Sequence, residues 1–299
     1  MKLQQLQGLV AVVEQGSIRA AARHLHLSQA AVTKSMRTLE DEAGVALLQR
    51  GSRGIALTAA GERLLERARL ITRQVQLARE DLAQLAGQHA GSVRVGVTPV
   101  MTLAGLGEAF SWFRQRYPLV QVQLIEGLMA RVLPRLREGT LDIAVVAADV
   151  GEIAPDEFHQ RRLRHMRQRV VARAGHPLFM SPPRDPEAWC ELEWVLTQPV
   201  AGGGPARAEA LFAQAGLPAP RRVVQCETLA ALSLLRHADV VALMPEPFLA
   251  YPEARGIVAV EPCPLQPLDL ELLLLTRPDT PLTPAAEFFA HCLVEVSRA

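Results

Sequence analysis

Residues 16 to 61, GSIRAAARHLHLSQAAVTKSMRTLEDEAGVALLQRGSRGIALTAAG, constrain this chain more than any other stretch. A short alanine-rich helix is expected from Ile18 to Leu25, followed by a tight connection at His26, Leu27 and Ser28. A second, amphipathic helix opens at Gln29 and carries polar tips at Gln29, Thr33, Lys34 and Arg37. Two helices joined so closely form a helix-turn-helix, whose second helix lies in a DNA major groove. Ala21, Ala22, Leu25, Val32 and Leu39 are the small residues and anchors that let two short helices cross. Upstream, Leu6, Leu9, Val10 and Val13 give a first helix one apolar face, and Gly16 with Ser17 ends it and caps the next. Downstream of Gly44, Gly51-Ser52-Arg53-Gly54 between two short β-prone runs predicts a hairpin wing. Such a wing holds Arg50 and Arg53 toward a phosphate backbone or a minor groove.

Charge agrees with a DNA-binding head, weakly. Net charge over the 299 residues is +1, but residues 1–90 hold twelve Lys and Arg against eight Asp and Glu. The rest is slightly acidic, so phosphate contacts are expected only at the N-terminal end. Glu14 interrupts the apolar run Leu9 to Val13 too early for a secretory leader. No apolar segment nears the roughly 20 residues of a membrane span, so a cytoplasmic protein with no membrane partner is expected. Cys190, Cys226, Cys263 and Cys292 are widely spaced with no C-x-x-C pair, which points to reduced, mostly buried thiols. A cysteine redox sensor stays open as an alternative. The histidines show no metal spacing, and no metal, cofactor or catalytic constellation is expected.

From Ala59 to Gly87 the pattern is one long helix. Leu64, Ala68, Ile71, Val75, Ala78, Leu82 and Leu85 recur at alternating steps of four and three, a heptad seam that predicts a coiled coil and a dimer. From Gly91 onward, strands and helices alternate. Strands are expected at Ser92–Val97, Val120–Ile125 and Asp142–Ala147, with helices at Leu103–Tyr117 and Arg131–Glu138. The pattern resumes with strands at 193–196, 223–226 and 240–243 and helices at 206–215 and 229–236, then a strand at 268–275 and a helix at 284–296. This order implies mainly parallel sheets in two lobes, with a ligand cleft between them. The chain should cross to the second lobe near 160–168 and return near 263–268.

Taken together, the first stretch, then YPLVQVQLIEG, LREGTLDIAVV and VVALMP, resemble the LysR-type transcriptional regulators along essentially the whole chain. The resemblance implies a winged helix-turn-helix at 1–58, a linker and dimerisation helix at 59–88, and an effector domain at 91–299 similar to type II periplasmic binding proteins. Within that domain, lobe 1 would take about 91–162 and 267–299, and lobe 2 about 163–266. It also implies a homotetramer, promoter DNA and RNA polymerase as partners, a small-molecule effector and no enzymatic activity. A solute-binding or enzymatic α/β protein with an inert helical head is the rival from another class.

Residue by residue, the resemblance places Ser28, Gln29, Ala30, Thr33, Lys34 and Arg37 on DNA, with Arg50 and Arg53 in the wing. Three positions depart from the family pattern. Ala30 stands where proline is usual, Leu48 where phenylalanine is usual, and His237-Ala238-Asp239 where a glycine-containing turn is expected. The effector cleft falls to Thr98, Pro99, Val100, Met101 and Thr102 after the first sensing strand. Met129, Thr197, Gly202, Gly203 and Thr228 complete it. Helix starts, hydroxyls and glycines favour a small organic anion. Arg131 would pair a carboxylate or else sit solvated. Glu227 beside Thr228 would oppose a purely anionic ligand or point away. The densest charge run, Arg161, Arg162, Arg164, His165, Arg167, Arg169 and Arg173, reads as a solvated crossover strand with inter-subunit ion pairs, ahead of a second DNA surface.

Overall fold

The structure, a computed structural model, describes residues 1–51, 54–86, 91–183, 185–197, 207–265, 269–278 and 280–298. It divides into two compact units: Met1–Ser92 with Arg135–Leu141, and Val93–Pro134 with Asp142–Ala299.

In the first unit, local chemistry sets each helix end. α1 (Leu3–Glu14) stops at Gly16, whose φ of +69° suits glycine. The Ser17 hydroxyl caps α2 (Ile18–His24) by accepting from the Ala20 N–H at 3.1 Å. Ser28 does the same for α3 (Gln29–Ala43) through the Ala31 N–H at 3.1 Å, and Gly44 closes α3 at φ +68°. Each cap contributes about 1 kcal/mol. The three helices bury Leu6, Leu9, Val12, Ala21, Val32, Met36 and Leu39 together. Val12 is fully buried, whereas Val10 and Val13, expected on the inner face of α1, are only partly covered. The face is rotated because Gly8 lets α3 approach closely. A Cβ there would stand 2.9 Å from Met36 Cε.

The wing is β1 (Leu48–Gly51) paired antiparallel with β2 (Gly54–Leu57), Leu48 facing Leu57. Leu48, in place of phenylalanine, packs against the helical core. The Glu40 carboxylate accepts from the Leu47 and Leu48 N–H groups at 2.9 and 3.0 Å, tying α3 to the wing. Thr58 then caps the long α4 (Ala59–Leu85) through the Gly61 N–H. The heptad stripe of α4 is split in use. Ala68 is fully buried in the helical core and so is not free for a partner, whereas Leu64 is only partly buried there. Beyond them Ile71, Leu82 and Leu85 are 44, 69 and 71% exposed.

The second unit holds two five-stranded sheets. The first has order β4-β3-β5-β12-β6, from β3 (Ser92–Val97), β4 (Gln121–Glu126), β5 (Ile143–Asp149), β6 (His159–Met166) and β12 (Leu270–Thr276). The second has order β11-β7-β10-β8-β9, from β7 (Gln168–Arg173), β8 (Glu193–Leu196), β9 (Arg222–Gln225), β10 (Val240–Pro245) and β11 (Ile257–Ala259). The chain therefore changes sheet between Met166 and Gln168 and returns through β12. Both sheets are mixed, which corrects the mainly parallel expectation. β3 and β5 are parallel, as are β10, β8 and β9, but β12 runs antiparallel to β5 and β6, and β7 antiparallel to β10 and β11. A strand entering from the other lobe arrives without a crossover helix, so nothing forces it parallel.

Helices pack on both sheets. Phe113 of α6 (Gly107–Arg116) stacks on Phe289 of α10 (Pro284–Val296) with centroids 4.7 Å apart. In the second lobe Trp194 meets the edge of Phe212, on α8 (Arg207–Gln214), at 5.1 Å and donates to the Trp189 carbonyl at 2.9 Å. The helix expected at Leu103 starts earlier. α5 (Pro99–Met101) leads through a π-turn at Thr102–Leu106 into α6. Gly105 in that turn lies against α10, where a Cβ would come within 2.8 Å of Val296 Cγ2. The turn after α9 (Thr228–His237) needs no glycine: Ala238 is extended, its N–H bonds the Leu234 carbonyl at 2.8 Å, and Asp239 accepts from Arg173 Nε at 2.9 Å.

Candidate functional site

The outer face of α3 presents Gln29, Ala30, Thr33, Lys34, Arg37, Thr38 and Asp41 around one open hollow. Gln29, Lys34 and Arg37 are exposed, while Val32, Met36 and Leu39 on the opposite face anchor the helix to the core. That division leaves the helix rigid and its polar tips free. Two hydroxyls are already engaged. Ser28 serves as the cap, and Thr33 Oγ1 donates to the Gln29 carbonyl at 2.8 Å. Thr33 thus offers its methyl and an acceptor lone pair rather than a free donor. Ala30 occupies the first turn with no distortion of the helix start. Thr38 and Asp41 were not singled out from sequence, although their spacing from Lys34 puts them on this face. Arg50 lies on β1 opposite Ile55, and Arg53 lies outside the described residues.

The second site is the cleft between the two sheets of the second unit, with about 800 Å³ of empty space including its open mouth. The first lobe contributes Thr98, Pro99 and Val100 beyond β3, Leu128 and Met129 at the start of α7 (Met129–Arg137), Ala147 of β5 and Leu270 of β12. The second contributes Val195, Leu196 and Thr197 at the end of β8, Thr228 at the start of α9, the end of β10 at Leu243–Pro245, and Phe248. Gln168, the first residue of β7, closes the wall at the crossover. The carboxyl ends of β3, β5, β8 and β10 converge here, where open α/β sheets bind ligands.

Six expected effector residues meet at this cleft: Thr98, Pro99, Val100, Met129, Thr197 and Thr228. Two do not reach it. Met101, the last residue of α5, points into the core of the first lobe, 3.8 Å from Ser297 Oγ. Thr102 is absent from the lining, and its buried hydroxyl has no partner. Gly202 and Gly203 lie outside the described residues. Thr98 is 3% exposed and stands at a helix start, yet its hydroxyl makes no capping bond, so a plain cap does not account for it. Arg131 is exposed outside the lining, its stem folded over Gly127, where a Cβ would meet Arg131 Cδ at 2.7 Å. Glu227 is exposed and likewise outside. Among the described residues no Asp, Glu, Lys, Arg or His lines the cleft.

Sequence reading missed Gln168, Phe248 and the β10 residues. Only β10 carried a signal, as the apolar run VVALMP expected to form a strand. The charge run around Gln168 is an edge strand followed by β7, and several of its ion pairs close within the chain. Arg162 pairs with Glu271 at 3.1 Å, Arg169 with Glu261 and Glu246 at 3.0 and 3.4 Å, and Arg173 with Asp239.

Comparison with known families decides the identity. The LysR substrate binding domain matches residues 86–298, and the bacterial regulatory helix-turn-helix of the lysR family matches residues 3–62. This chain belongs to the LysR family of transcriptional regulators. Its similarity to the HTH-type transcriptional regulator PcaQ of Agrobacterium fabrum is 32% identity, over 95% of this chain and 92% of that protein. The hydrogen peroxide-inducible genes activator of Pectobacterium carotovorum subsp. carotovorum is 33% identical over 49% of each chain. Among solved structures, full-length CbnR complexed with its target DNA shares the fold, with a TM-score of 0.62 and 23% identity over 99% of this chain and all of that one.

The cysteines of this regulator are poorly placed for peroxide chemistry. Cys190 and Cys292 are buried, Cys226 and Cys263 half-buried, and all four are free. Burial pushes every one of these thiols above the ordinary thiol range, with Glu191 beside Cys190 and Glu227 beside Cys226 acting in the same direction. The thiolate is the reactive form, so each is disfavoured. Peroxide treatment is expected to leave DNA affinity unchanged, and a Cys226→Ser/Cys263→Ser variant should respond to its inducer like wild type. An oxidation-dependent gel shift abolished by that variant would make redox the signal.

Proposed function

We propose that this LysR-family regulator reads promoter DNA with α3 and is switched by a small organic anion held in the interlobe cleft. The observation that carries the first half is the exposed row Gln29, Lys34 and Arg37 on a helix whose other face is locked into the core. Gln29 suits adenine N6 and N7, while Lys34 and Arg37 suit phosphates. Arg50 and Arg53 of the wing would add backbone contacts. The assembly is a dimer through the exposed stretch of α4 from Ile71 to Leu85, paired again into a homotetramer, with RNA polymerase as its partner at the promoter. An exposed apolar stripe on a helix this long favours burial against a second copy.

The second half rests on a solvent-open cleft whose Thr98 hydroxyl is unused by the protein and whose second wall starts a helix at Thr228. Effector binding would change the relation of the lobes, and linkage requires that DNA and effector alter each other's affinity equally. Catalysis has no part in this reading. Filling the cleft tests it. Ala147→Phe places a ring in the lining, so a promoter–reporter fusion should lose its response to inducer while footprinting shows DNA binding retained. An unchanged response would remove the cleft from the mechanism.

A further inference from the structure

Resting on the reading of the cleft as the effector site, the polar groups in its wall say more about what it takes. Gln168 is 8% exposed and Thr98 3% exposed, and neither side chain hydrogen-bonds to the protein. A buried amide left without partners is destabilising. The polar atoms that are both sealed and unpartnered, among the described residues, lie on Arg69, Thr102, Asp149, Arg169 and His176. Those of Gln168 and Thr98 are not among them, so their polar atoms keep some open surface, and both side chains line the cleft. Gln168 also borders a second hollow, where Arg169 and Glu261 pair with each other at 3.0 Å.

The described wall offers donors without any ionised side chain: the Gln168 amide, the Thr98, Thr197 and Thr228 hydroxyls, and the free N–H groups at the start of the ten-residue α9. A carboxylate accepts up to about four hydrogen bonds, which such a set supplies. A second carboxylate held against the apolar part of the wall meets no cation among the described lining residues and loses its hydration. The remaining wall is apolar, from Leu128, Val195, Leu243, Met244, Phe248 and Leu270.

We infer that Gln168 is the head-group selector of this regulator, and that the effector is an apolar molecule carrying one carboxylate. The amide nitrogen donates to the carboxylate, Thr98 donates from the opposite lobe, and the ring or chain fills the apolar remainder. Because Gln168 is the first residue of the crossover strand into the second lobe, its bond to the ligand acts where the lobes are joined.

Calorimetric titration of the full-length protein with benzoate, terephthalate and benzylamine tests this. Wild type should bind benzoate, bind terephthalate at least about tenfold more weakly, and ignore benzylamine. Gln168→Leu should weaken benzoate about tenfold or more, the loss of one charge-assisted hydrogen bond. Gln168→Glu should weaken it about a hundredfold or more and admit benzylamine, since a carboxylate repels one charge and attracts the other. Benzoate affinity unchanged in both variants, or terephthalate tighter than benzoate in wild type, overturns the inference, as does a wild type that binds none of the three. Each of these leaves the cleft reading standing if Ala147→Phe still abolishes induction.

Discussion

A Gln29→Ala/Lys34→Ala protein should bind its operator two or more orders of magnitude more weakly than wild type at physiological salt. Gln29 stands exposed at the first turn of α3, which enters the groove first in helix-turn-helix docking. A bidentate amide–adenine pair is worth about 1–3 kcal/mol of discrimination. Lys34, one turn on, is an exposed cation whose loss should lower the slope of log K against log salt by about 0.9 if it holds one phosphate. The two losses differ in kind. Removing Gln29 flattens sequence preference, while removing Lys34 weakens all sequences alike. Asp41, about two turns beyond Lys34 on the same face, would repel phosphate there, so the contact is expected on the N-terminal half of α3. Neither truncation touches the core, since Val32, Met36 and Leu39 hold the helix from behind. Fluorescence anisotropy on operator and scrambled duplexes over a salt series separates the terms. Equal affinities for wild type and variant at every salt concentration would remove α3 from DNA reading.

The parts legible in the sequence are those set by local chemistry. Ser17, Ser28, Gly16 and Gly44 announce the ends of the first three helices because a hydroxyl cap or a positive φ needs particular residue types. The extents of β3 and α10 were likewise readable, from a buried run after Gly91 and from Thr283-Pro284. Thr98 was legible through the family resemblance, and Thr197 and Thr228 because each follows a strand in an alternating α/β pattern, where ligands gather. What depended on distant packing was hidden. Burial periodicity is the same for parallel and antiparallel strands, so β12 could not reveal its direction. Met101 and Met129 both sit near helix starts, yet one is buried in the core while the other reaches the cleft, a difference set by tertiary packing. Gln168 hid among arginines whose partners, such as Glu271 and Glu261, lie about a hundred residues away. The heptad seam was regular in sequence, yet Ala68 is used up in the helical core, a difference that periodicity alone does not carry.

Gly61→Ala should be the most damaging single methyl in the DNA-binding head. A Cβ at position 61 would fall 2.1 Å from the Leu47 carbonyl oxygen and 2.9 Å from Leu57 Cδ2. The leucine tip can move; the carbonyl cannot move freely. It accepts from the Thr58 N–H at 3.0 Å, and Thr58 in turn caps α4 and donates its hydroxyl to the Ala46 carbonyl at 2.7 Å. Leu47 is itself fixed, its N–H on Glu40 and its side chain buried. Relief therefore requires opening the joint that connects α3, the wing and α4. Overpacking of this kind costs about 3 kcal/mol, and the better helix propensity of alanine returns only about 1 kcal/mol. The net loss of about 2 kcal/mol corresponds to roughly 10 °C in melting temperature for a unit of this size. Hydrogen exchange, read peptide by peptide, should show faster exchange from Leu47 to Leu65 with β3 and α10 unaffected. Operator affinity should fall with it although no DNA contact has been touched, because the wing and α3 share this joint. Wild-type exchange and melting would mean that the Leu47 carbonyl yields without strain and the joint is not tightly packed.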